Sequence, residues 1–340
     1  MIMRKLVLAT VFVFAFGLTV SSIMASAQED YNIPAWIKNN AAWWSEGQID
    51  DASFVSGIKY MIENGIMEIN TGDLSIADEY EDRGDFYITY KPNPNSLYAY
   101  NDTAIAWLKN VELLEAEVEF LNENFRLPYD VEVVAQECDE INAWYDWEKK
   151  QLVMCYEFID DVFEGYYYFY GEDEDFDEQV WADYGYNVVD YVFWHEVGHA
   201  FIDIYELPIT GLEENVADQF AALMLSYTYD SETGSYTLGQ TMLYDVGTWY
   251  YNENLYWSEI YPAETGEEYV PLYWDVHSLD IQRFYNITCY AYGSDPEYNQ
   301  HLINTEDLPE DRAIGCEYEY YMIEYSWEYH LGNFDNGFFD

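Results

Sequence analysis

The chain has 340 residues, half of them hydrophobic and a fifth aromatic, enough for one sizeable domain with a small accessory module and too apolar for wholesale disorder. Sixty-six acidic against 12 basic residues give a formal net charge of −54, a field that repels polyanions, so nucleic acid and anionic membrane surfaces are excluded as partners.

Arg4 and Lys5, the apolar run Leu6 to Val20 and the small residues Ala25-Ser26-Ala27 have the order of a secretory signal, so residues 1–27 are expected to be removed on export to the cell surface or exterior. Left uncleaved, the same run would be an N-terminal anchor. Residues 28–70 are expected to form a helical hairpin: Pro34 suits a helix start, Ile37, Ala41 and Trp44 share a face, and Gly47 can end the first helix. Asp50 can cap the second, whose Phe54, Ile58, Met61 and Ile62 form an apolar stripe. The text IPAWIKNNAAWWSEGQIDDASFVSGIKYMIENGIM resembles a short module that recurs in exported proteins of ammonia-oxidising archaea. Residues 71–98, acidic and then KPNPNS, read as a linker, and the main domain is expected over 99–340.

In that domain Ile105, Leu108, Val111, Leu114 and Val118 predict a helix over about 103–124. Val131 to Ala135 and Gln151 to Phe158 read as strands around a turn at Asp146 to Lys150, and an antiparallel pairing would bring Cys138 near Cys155. Residues 160–186 are a Tyr- and acid-rich excursion. Its GEDEDFDE run at 171–178 offers carboxylates to Ca2+ but lacks EF-hand spacing, and a solvated acidic loop is the plainer reading. Cys138, Cys155, Cys289 and Cys316 are an even set in an exported chain and predict two disulfides, with three pairings open; none of the spacings is the close pair of a four-cysteine zinc site.

The segment NVVDYVFWHEVGHAFIDIY (Asn187–Tyr205) reads as a mostly buried helix. On it His195 and His199, four apart, project from one face, where two imidazoles can bind Zn2+, and Glu196 lies beside them as a base for a metal-activated water. The positions that would carry Gly and a third His in a metzincin hold Ile202 and Tyr205. Instead GLEENVADQFAALML (211–225) predicts a second helix with Glu214 and Asp218 on one face. Glu214 is the expected third ligand, with Glu213 as its competitor, and Asp218 the expected acceptor for a ligating imidazole. Among 37 Tyr and 12 Trp no ordered spacing marks a sugar-stacking site, and packing is the simpler role.

HEVGHAFID, then LP, GLEENVADQFA, WDVHSLDIQRFYNITCYAYGSDPE and LPEDRAIGCEYEY together resemble the metallopeptidases of the DUF4344 family, over about residues 125–330. The resemblance implies bridges Cys138–Cys155 and Cys289–Cys316. It also brings forward His277 as a catalytic donor to an oxyanion, with Tyr285 and Arg283 behind it. His301 and His330 have no such context.

The expectation is therefore an α+β, zincin-like domain: a secreted zinc hydrolase of peptide or protein substrates in which Glu196 moves the proton, with one Zn2+ and a substrate strand added beside residues 151–158. Two rivals use the same residues. One is an extracellular or envelope binding protein with a structural zinc, and the other a zinc hydrolase of a non-peptide bond.

Overall fold

The computed structural model describes residues 82–93, 100–228 and 236–339, together with Trp44 and Phe54. The chain divides into two compact units, Met1–Asp73 and Leu74–Asp340. In the first, Trp44 and Phe54 are helical and their rings stack with centroids 4.6 Å apart. The expected signal at 1–27 and the rest of the expected hairpin at 28–70 lie outside the described residues.

The second unit is built on a mixed four-stranded sheet of order β1-β2-β4-β3, with β1 at Phe86–Lys91, β2 at Val131–Gln136, β3 at Ala143–Asp146 and β4 at Gln151–Cys155. Strand β1 corrects the linker reading of 71–98. FYITYK is rich in the β-branched and aromatic residues that suit a pleated surface. Phe86 is buried, and the Asn122 side chain both accepts from its N–H and donates to its carbonyl. Between β1 and β2 run α1 (Tyr100–Val111) and α2 (Leu113–Asn124). The single helix expected over 103–124 is broken at Glu112, whose φ of 54° lies in the left-handed region.

Strands β2 and β4 are parallel, whereas an antiparallel pair was expected. The antiparallel neighbour of β4 is β3, joined to it by a tight turn in which the Asp146 carboxylate accepts from the N–H groups of Glu148 and Lys149. This makes β4 a central strand and β3 an edge. The Cys138–Cys155 disulfide forms all the same, because Gln136 and Cys155 are in register at the ends of the two parallel strands.

Strand β4 passes directly into α3 (Tyr156–Tyr170), followed by α4 (Glu178–Ile204). The excursion expected over 160–186 is thus mostly helical; its buried Phe158, Ile159 and Val162 recur at helical spacing. The acidic run is the turn between the helices, and Asp177 N-caps α4 by accepting from the Gln179 N–H. Among the described residues, the run contributes to no cluster able to hold a metal ion.

Helix α4 is 27 residues long and buried nearly all round, as an apolar helix at the centre of a domain must be. Around it pack α5 (Glu213–Ser226) and α6 (Thr237–Leu255), the latter continuing through a π turn into α7 (Tyr261–Thr265). Helix α8 (Asp280–Ser294), the short α9 (Gln300–Asn304) and α10 (Glu310–Ala313), and α11 (Cys316–Leu331) complete the unit. A second disulfide, Cys289–Cys316, ties α8 to the start of α11. The architecture is α+β, as expected. No helix among the described residues is long and apolar enough to cross a membrane.

Candidate metal centre

The close approach of α4 and α5 assembles the site. Gly198, inside HEVGH, faces Ala217, and a Cβ on Gly198 would stand 3.1 Å from the Ala217 Cα. Two small residues thus let the backbones meet, which carries the first turn of α5 over His195 and His199. Glu213 and Glu214 lie in that turn, where the helix dipole favours carboxylates.

The Nε2 atoms of His195 and His199 are 3.2 Å apart, and the Glu214 Oε2 lies 3.2 Å from the first and 3.3 Å from the second. A tetrahedral ion with bonds of about 2.0–2.1 Å sets its ligand atoms roughly 3.3–3.4 Å apart. The three donors therefore already have the spacing such an ion imposes, and two nitrogens with one carboxylate oxygen are a donor set that zinc accepts. Among the described residues the other group close enough to hold a metal is Cys138, Cys155 and Glu157. Its sulfurs are consumed by the disulfide, and Glu157 accepts the N–H groups of Cys138 and Asp139.

The opposite ring nitrogens are held by carboxylates as well. His195 Nδ1 is 2.8 Å from Asp218 Oδ1, and His199 Nδ1 is 2.8 Å from Glu213 Oε1. The adjacent glutamates are thus placed differently: Glu214 faces the Nε2 pair, and Glu213 sits behind His199. This role of Glu213 was not foreseen, since helical spacing does not say which of two neighbours turns inward.

Asp218 is buried and accepts three further hydrogen bonds, from the Tyr191 hydroxyl at 2.8 Å, Arg283 Nε at 2.8 Å and Arg283 Nη2 at 2.5 Å. The Arg283 guanidinium also lies over the Tyr250 ring, 4.3 Å from its centroid. Arg283 is thus a buried partner of Asp218, where the resemblance had implied an oxyanion donor. Tyr285 packs against the core and lines no part of the cleft, so the structure does not bring it to the site. His277 does reach it: Nε2 is 3.0 Å from Glu214 Oε2 and Nδ1 is 3.0 Å from Asp275 Oδ1, with the side chain half exposed. His301 stands apart, against the Tyr298 carbonyl.

Electrostatics follow from this crowding. Burial works against charge on both histidines, but hydrogen bonds to Asp218 and Glu214 raise the pKa of His195, and Glu214, Glu196 and Glu213 push His199 up to about 9. Burial acts to raise Glu214 too, yet hydrogen bonds from His195, His199 and His277 hold it far below the usual carboxylate range. Asp218 is likewise held low, against burial, by Arg283 and His195. A metal ligand must present an unprotonated atom, so a divalent cation bound here would displace protons from the imidazoles. Glu196 is different: it is buried, forms no ion pair among the described residues, and burial raises its pKa against the charges of His195 and His199.

A cleft of about 690 Å³ opens over these residues, lined by β3 on one side and by Leu212, Val276 and His277 on the other. Strand β3 is fastened to α4 through Asp203, which accepts from the Tyr145 hydroxyl at 2.7 Å and pairs with Lys150 at 2.5 Å. The sequence model of the DUF4344 family, whose description reads "Putative metallopeptidase", matches residues 98–331. The chain belongs to this family. The DUF4344 match spans every residue of the site and both disulfides, and β1 lies ahead of it. No curated protein and no solved structure matches the chain.

Proposed function

We propose that this DUF4344 member is a secreted zinc-dependent peptidase in which His195, His199 and Glu214 hold the ion and Glu196 is the catalytic base. The observation that carries the reading is the near-tetrahedral spacing of the three donor atoms, with the buried carboxylate of Glu196 beside them. Among the described residues this cluster has three protein groups, which favours an open, catalytic centre over the fully coordinated one of a structural zinc. The signal-like residues 1–27 and the two disulfides support export.

When bound, zinc supplies Lewis-acid polarisation and makes a water more acidic. The protein supplies the rest. A raised pKa suits Glu196 to take a proton from the attacking water on its carboxylate and return it to the departing amine. Asp218 and Glu213 hold the Nδ1 atoms of His195 and His199, keeping each Nε2 turned toward the centre. His277, at the rim of the cleft with Nε2 directed at the centre, can donate to an oxyanion. Because β4 is enclosed by β2 and β3, an extended substrate would pair with the outer edge of β3, not with 151–158; Asn142 to Tyr145 line the cleft there.

The test is hydrolysis of a peptide library by the full chain, with and without a chelator, alongside Glu196→Gln and metal analysis. Zinc near one per chain in both proteins, with cleavage only in the wild type, is expected. Undiminished cleavage by Glu196→Gln would sink the mechanism, and absence of bound metal would sink the reading altogether.

A further inference from the structure

A second cavity, of about 260 Å³, meets the main cleft at Asn142, Ala143, His195, Glu196 and His277. Glu196 therefore lies where two recesses join. The second one carries Asp161 of α3, Glu253 of α6 and Asp280 of α8, set among the rings of Phe158, Trp249 and Tyr250.

No basic side chain among the described residues is within ion-pair distance of these three carboxylates. None forms an ion pair, and Glu253 accepts one hydrogen bond, from the Trp257 indole at 3.2 Å. The three basic groups at the cavity are committed elsewhere, Arg283 to Asp218, His195 to Asp218 and Glu214, and His277 to Glu214 and Asp275. Tyr250 lines the cavity as well; it is 1% exposed, and its hydroxyl is turned toward that of Tyr191. The carboxylates also strain one another. Glu253 is pushed up to about 7 by burial and then by the charges of Asp161 and Asp280. Burial raises Asp280 even against Arg283 and His277, and raises Asp161.

We propose that this cavity is a specificity pocket for a cationic side chain, Lys or Arg, on the substrate residue next to the scissile bond. A long basic side chain matches it in both parts. Its methylene stem packs on the aromatic wall, and its donors meet three carboxylates that no ion pair satisfies. A neutral side chain of equal length would bury those acceptors unpaired, and an acidic one would add a fourth like charge. The assignment rests on the peptidase reading for the word substrate; the charge and shape of the cavity do not depend on it. A free α-amino terminus shares the ammonium chemistry and is separated from a side chain by acetylation.

The experiment uses N-acetylated peptides identical except for Lys, norleucine or Glu at one position, with cut sites mapped by mass spectrometry. Binding of the same peptides to the zinc-loaded Glu196→Gln protein is measured by calorimetry. Expected are cleavage beside the Lys and binding stronger than for norleucine by roughly tenfold or more, with the ratio collapsing toward one in Asp161→Asn/Glu253→Gln. That double variant removes mutual repulsion and should fold. Equal binding of the Lys and norleucine peptides overturns the proposal, as does Lys selectivity unchanged in the double variant or binding seen only with unacetylated peptides. Lys-selective binding without cleavage of any peptide by the wild type would instead overturn the peptidase reading and leave the pocket standing.

Discussion

Replacing Asp218 by Asn should damage fold and metal centre together. In the native protein this one carboxylate takes the His195 Nδ1 contact, the Tyr191 hydroxyl and two Arg283 nitrogens, with side-chain exposures of 8% for Asp218 and 13% for Arg283. Asn keeps the shape but loses the charge and turns an N–H2 group toward donors, leaving a buried guanidinium uncompensated. Breaking such a pair costs about 3–5 kcal/mol, which for a domain of this size lowers the melting temperature by roughly 6–20 °C. Losing the acceptor behind a ligating imidazole should weaken zinc binding by about 10–100-fold. Calorimetry on the chelated protein reads the first effect and a competition titration with a chromophoric chelator the second. Adding Arg283→Met removes the stranded charge, so Asp218→Asn/Arg283→Met should recover most of the stability and little of the zinc affinity. A melting temperature within about 2 °C of wild type and a zinc Kd within about twofold for Asp218→Asn would refute the reasoning.

Gly198→Val should force α4 and α5 apart, because a Cβ already comes within 3.1 Å of the Ala217 backbone; about 1–3 kcal/mol of stability and part of the zinc affinity should be lost, seen in urea melts and the same titration. Asp190 is buried with an unpaired oxygen and, with its pKa raised by burial and by Glu117, itself pushed up to about 7, it folds preferentially protonated. The folded protein therefore holds protons that the unfolded chain releases, so stability should fall as pH rises from the ordinary carboxylate range to 7 and beyond. Asp190→Asn should flatten that decline, with the melting temperature raised more at high pH than near pH 5; a parallel pair of curves would contradict it. Reducing Cys289–Cys316, which closes a span of 27 residues, should cost roughly 3–4 kcal/mol on the chain-entropy account, read as a lower urea midpoint in Cys289→Ser/Cys316→Ser.

The readable parts of the molecule are those in which cause and effect are neighbours along the chain. HEVGH on a buried helix, the helix after Gly211, and the pairing of cysteines suggested by family resemblance all appear in the structure. The structure departs from the local signal where that signal is overridden or hidden. Phe86–Lys91 is a strand because the sheet needs an edge beside β2, while the nearby KPNPNS reads as a linker. Residues 160–170 are helical although Tyr and acidic residues mask the apolar spacing. The break at Glu112 leaves the apolar periodicity almost undisturbed and so has no sequence signature.

By itself the sequence determined that two imidazoles and a carboxylate share one helix face, since the 3.6-residue repeat is a property of consecutive residues. It also narrowed the third ligand to two adjacent glutamates. Only the tertiary structure decided that Glu214 faces the centre while Glu213 backs His199, that Arg283 serves Asp218, that β3 is the edge beside the cleft, and that Asp161, Glu253 and Asp280 converge next to Glu196. Those pairings join residues from separate helices and strands, and their distances are set by how closely the elements pack, down to the contact of Gly198 with Ala217.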